Sequence, residues 1–134
     1  MTSATILDDH ITYASGERKT VCVTACLTAL GVPVGGFHYT GKLNDSRRTA
    51  ILNRHGYAVR SRRSSLPKHA TIGTARKAIR KLNDPQGTLY LVQVSGSGYC
   101  HAMLLNATGA TVVDTAPRKR DKRRVHSIHA VWKR

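Results

Sequence analysis

Three residues in this sequence have the types and the order of a nucleophile, a base and an orienting carboxylate: Cys22, His101 and Asp114. Thiol chemistry needs the thiolate. A cysteine in the first turn of a helix sits at the positive end of the helix dipole, which favours that form. The stretch GERKTVCVTACLTALGVP reads as such a helix: Val21, Ala25, Leu27, Ala29 and Leu30 are apolar or small, and Gly31 and Pro33 end it. Thr20 is the expected N-cap, which places Cys22 in the first turn and Cys26 one turn deeper. His101 falls in a β-rich run and Asp114 in the next one, 13 residues on across a tight turn. In an antiparallel hairpin that spacing can bring both side chains to one face, where the carboxylate orients the imidazole and the imidazole activates the thiol.

The elements that must position these residues follow from periodicity. SRRTAILNRHG reads as a helix with Ile51 and Leu52 inward, capped by Asn44 or Ser46 and stopped by Gly56; YAVRSRR alternates like a strand with one wet face. TIGTARKAIRKLN repeats Ile72, Ala75, Ile79 and Leu82 at helical spacing before Asn83-Asp84-Pro85-Gln86-Gly87 breaks it. TLYLVQVSG, CHAMLLN and ATVVDTA then form three antiparallel strands joined by tight turns, and VHSIHAVWKR alternates like a closing strand. Residues 1–15 have no clear period and read as an arm or a short edge strand. The expectation is one α+β domain over residues 1–134, with a basic loop at 117–125.

Other readings of the same residues are weaker. Cys26 and Cys100 fit small core hydrophobes, since Cys100 must face away from its neighbour His101 on a strand. A zinc site from Cys22, Cys26, Cys100 and His101 fails on that same alternation, so no metal or other cofactor is expected. VSGSG lacks the Gly-Lys-Ser/Thr ending of a phosphate loop and precedes a strand. One Glu and six Asp leave no carboxylate pair for glycoside hydrolysis. His38, His55, His69, His126 and His129 have no evident partner.

The wording around the triad resembles papain-like cysteine peptidases, and more closely the small papain-like proteins of tailed phages. The resemblance is carried by TVCVTACLTALGVP at the cysteine, GTLYLVQV leading into a Gly-x-x-His-Ala turn, VVDT, and a basic end near VWKR, and it spans most of residues 17–134. It implies a papain-like fold and hydrolysis of a peptide or isopeptide bond in a protein or peptide substrate, with Cys22, His101 and Asp114 catalytic. Papain-like enzymes place a Gln or Asn shortly before the cysteine to complete the oxyanion hole. Residues 15–21, SGERKTV, hold neither, and Thr20, Lys19 and Gln93 remain open as substitutes. The alternative is a papain-like scaffold with weak or no catalysis, serving as a basic virion-associated or nucleic-acid-binding protein.

Charge favours such partners. Lys and Arg number 22 against 7 Asp and Glu, a formal charge of +15. PRKRDKRR alone packs six basic residues into eight positions. Arg118, Lys119, Arg120, Lys122, Arg123 and Arg124, with Arg60, Arg62 and Arg63, are the expected phosphate contacts. The poverty in aromatic residues argues against base stacking, so any such binding is electrostatic and indifferent to base sequence. Three cysteines cannot pair fully, no apolar stretch is long enough for a membrane span, and the N-terminus lacks the plan of a secretion signal. The expected location is a host cytoplasm or a virion.

Overall fold

The computed structural model describes residues 5–7, 10–12, 18–20, 22–32, 45–95, 100–114 and 122–134. The chain is α+β, with three helices and two antiparallel sheets among these residues. No helix among them is long and apolar enough to cross a membrane.

The first sheet is small and N-terminal: β1 (Thr5–Leu7), β2 (His10–Thr12) and β3 (Arg18–Thr20) pair in sequence order. This corrects the expectation of an arm or a single edge strand over 1–15. Three-residue strands are too short to show a period of two, so pairing, not pattern, defines them. β3 also takes Thr20, so it does not occupy the position just before the first helix, which belongs to residue 21.

That helix, α1 (Cys22–Ala29), begins one residue later than a cap at Thr20 implies and still holds Cys22 in its first turn. It ends in a Schellman motif: Gly31 adopts φ +78°, and Gly31 N–H and Val32 N–H donate to the carbonyls of Thr28 and Leu27. α2 (Asp45–Arg54) begins at Asp45, so Ser46 lies inside it, and Asn44 lies outside the described residues. α3 (Ile72–Ile79) is capped by Thr71, whose hydroxyl accepts from Thr74 N–H at 3.4 Å, and it buries Ile72, Ala75 and Ile79. It is shorter than its hydrophobic period. Lys81 and Leu82 close with tighter bonds to Ala78 and Ile79, a turn that Pro85 keeps from propagating.

The larger sheet runs β4–β8–β5–β6–β7, antiparallel throughout, from β4 (Tyr57–Ser61), β5 (Leu89–Ser95), β6 (Cys100–Asn106), β7 (Thr111–Val113) and β8 (Val125–Lys133). β8 does not close an edge; it is inserted between β4 and β5. Its burial explains the place, since Ala130 and Val131, which face opposite ways, are both buried. Two cores result. Tyr90, Val92, Val94, Met103, Leu105, Ile128 and Ala130 pack with α3 on one face. Leu91, Ala102, Leu104 and Val131 pack on the other with Cys26, Leu27 and Leu30 of the α1 segment and Ile51 and Leu52 of α2.

Candidate active site

His101 is wholly buried at the start of β6, opposite Val94 of β5. Asp114 follows the last residue of β7, whose Val113 pairs with Leu104. Strand alternation carries His101 and Asp114 to the same face, and there His101 Nε2 lies 2.7 Å from Asp114 Oδ1. A carboxylate accepts only, so Nε2 carries the proton and base chemistry falls to Nδ1, which is also buried. At 2.7 Å this is the short contact expected of a hydrogen bond assisted by charge.

Asp114 has a second neighbour that sequence reading assigned elsewhere. Arg123 Nη2 lies 3.6 Å from Asp114 Oδ2, and both side chains are largely buried. Arg123 was expected among the phosphate contacts; the fold turns it inward. Nothing in the local sequence signals this, because the contact depends on where the chain returns after the loop.

Cys22 is the first residue of α1, as the dipole argument requires; its side chain lies outside the described residues. α1 packs on β6 and β7, and its far end reaches β4, where Tyr57 Oη donates to the Leu30 carbonyl. The helix therefore points its first turn toward β6 and β7. Its body rests on the Ala102–Leu104 face, whereas His101 shares a face with Met103. Residues 100–103 of β6 pair with β5, while the described part of β7 pairs with Leu104 and Leu105.

The other expected site residues scatter. Gln93 is half-buried on β5 opposite Ala102, on the α1 face, with Ser127 Oγ 3.4 Å from its Oε1. Lys19 and Thr20 lie on β3; their side chains lie outside the described residues. Cys26 is buried in the α1 core, on the opposite sheet face from His101, so the two cannot share a metal ion. Cys100 occupies the first position of β6, and its side chain is outside the described residues.

Of the expected phosphate contacts, Arg118, Lys119 and Arg120 lie outside the described residues. Arg60, Lys122 and Arg124 are exposed and Arg63 is half-exposed. Arg62 does not face solvent freely: it pairs with Asp84, whose other oxygen accepts from Tyr90 Oη at 2.7 Å. Burial alone would raise the Asp84 pKa, but the hydrogen bonds from Arg62 and Tyr90 and the nearby cations outweigh it and hold the carboxyl below its usual range. Burial and the bond to Asp84 push the Tyr90 hydroxyl well above an ordinary tyrosine.

Comparison with family models, curated proteins and solved structures returns no match to this chain.

Proposed function

We propose that the protein is a thiol hydrolase of the papain-like kind, acting on a peptide or isopeptide bond. The observation that carries this reading is the buried His101–Asp114 pair at 2.7 Å, on the strands against which the helix headed by Cys22 packs. In the proposed reaction the Cys22 thiolate adds to the substrate carbonyl carbon while the Cys22 backbone N–H helps hold the oxyanion. The proton taken from the thiol, held on His101 Nδ1, passes to the departing amine as the C–N bond breaks. Water, deprotonated by the same nitrogen, then cleaves the thioester and frees the acid. Asp114 holds the imidazole in the tautomer that presents Nδ1.

The test is the pH profile of iodoacetamide alkylation at each cysteine, followed by peptide mapping. Cys22 is expected to react with an apparent pKa several units below the free-thiol value of roughly 8.5. That reactivity should vanish in His101→Ala and fall by roughly tenfold at pH 6 in Asp114→Asn, which supplies a neutral amide where the imidazolium needs a charge. A Cys22 that is inert, or indifferent to His101, overturns the reading and leaves the catalytically silent scaffold.

A further inference from the structure

Residues 122–126 alternate in exposure: Lys122, Arg124 and His126 face out, while Arg123 is half-buried and Val125 is buried. The alternation has a backbone cause. Ile72 N–H donates to the Arg123 carbonyl, Val125 N–H donates to the Ala70 carbonyl, and Arg124 bridges Thr71. This pairing holds the segment extended along the strand that becomes β8. Extended residues two apart lie roughly 6.6 Å from one another on one side, of the order of the spacing between successive phosphates on one nucleic-acid strand. The pairing at Ala70 and Thr71 also brings exposed Lys68 and His69 to the border of the row. His69 is held in a left-handed conformation at φ +60°, which turns the chain sharply there.

We propose that the row Lys122–Arg124–His126, bordered by Lys68 and His69, is a docking surface for the phosphate backbone of a nucleic acid. The row offers the cations Lys122 and Arg124 two residues apart, the imidazole of His126 where the β5–β8 register shifts, and no large apolar side chain to enter a lipid layer. Among the described residues Val112, on β7, is the exposed large hydrophobic side chain, and it is not part of this row. The formal charge of +15 adds a long-range attraction that steers polyanions to the protein. Arg123, between Lys122 and Arg124 in the chain, faces inward and reaches Asp114. The surface itself stands independently of the proposed hydrolysis.

Fluorescence anisotropy with labelled 20-base-pair duplexes at pH 7.5, across a salt series, tests the assignment. The combined variant Lys68→Gln, Lys122→Gln, Arg124→Gln should bind at least tenfold more weakly at low salt, with a salt slope flatter by about 2–3. The control Arg54→Gln, Lys133→Gln, Arg134→Gln removes the same charge from the opposite end of β8, where Arg134 bonds Asn53 and Gly56, and should lose much less. Two duplexes of unrelated sequence should bind alike, and Cys22→Ala should bind as the wild type does. Lysine acetylation of the wild-type complex gives a readout free of substitutions: Lys68 and Lys122 protected, Lys133 not. Equal losses in the two combined variants, uniform protection, or binding to phosphatidylserine vesicles without binding to duplex overturns the proposal.

Discussion

Two aspartates in this protein each serve two partners, and the partners decide what each one does. Asp114 joins a histidine to an arginine; Asp84 joins Arg62 to Tyr90. Asp84 stands outside the proposed catalytic set, and its pairing with Arg62 and Tyr90 bears on stability. Asp84→Ala leaves the Arg62 guanidinium and the Tyr90 hydroxyl without their acceptor, and we expect a loss of about 3 kcal/mol in urea unfolding at pH 7. The folded carboxyl is held below its ordinary pKa. Its ionised form is thus favoured by the fold, and the stabilisation is fully present above the unfolded value of roughly 3.9. It drains away as pH falls through the lower folded value. The difference between wild type and Asp84→Ala should therefore shrink as unfolding is repeated from pH 5 toward pH 3. At this scale strand spacing signalled the contact between His101 and Asp114, and helix pattern the first-turn position of Cys22. The sequence was mute for Arg62 and Arg123, because an arginine looks the same whether it faces solvent or an aspartate.

Among the elements, α3 is tied to the β6–β7 turn by side-chain hydrogen bonds. Arg76 Nη1 donates to the Gly109 carbonyl at 2.7 Å and its Nη2 to Thr111 Oγ1 at 2.9 Å, while Arg80 Nε donates to the Thr108 carbonyl at 3.0 Å. Gly109 permits this approach. Its φ is +82°, and a Cβ there would stand 2.7 Å from the Arg76 carbonyl oxygen, which is backbone and cannot turn aside. Gly109→Ala is expected to cost about 2–4 kcal/mol, combining the left-handed conformation with the clash. Gly87→Ala isolates the first part. Gly87 has φ +84° with nothing within 4 Å of its added Cβ, so about 1 kcal/mol is expected. Comparable losses for the two in chemical denaturation would mean that the clash relaxes. This contact also bears on the site, since the turn it holds sets the register of β7 and so the placement of Asp114.

Over the whole molecule, charge dominates what can be foreseen. At +15 the folded chain repels itself, and exposed like charges are screened by salt. Raising NaCl from about 10 mM to about 150 mM at pH 7 should raise the midpoint of thermal unfolding by a few degrees; a fall would show that paired charges such as Arg62–Asp84 outweigh the repulsion. Composition and period determined by themselves the α+β class, the three helices, the four strands read in the second half, the first-turn position of Cys22 and the basic balance. These follow from local pattern: a period of 3.6 or 2, a capping residue, a breaker such as Pro85 or Gly31. Tertiary structure decided what local pattern does not encode. It paired the N-terminal segments into a three-stranded sheet, placed β8 inside the larger sheet, and turned Arg62 and Arg123 inward while leaving Lys122 and Arg124 outside. It also set His101 and the body of α1 on opposite faces of β6. Each of these depends on which strand lies beside which, and pairing between residues distant in sequence is settled by the burial of both sheet faces together.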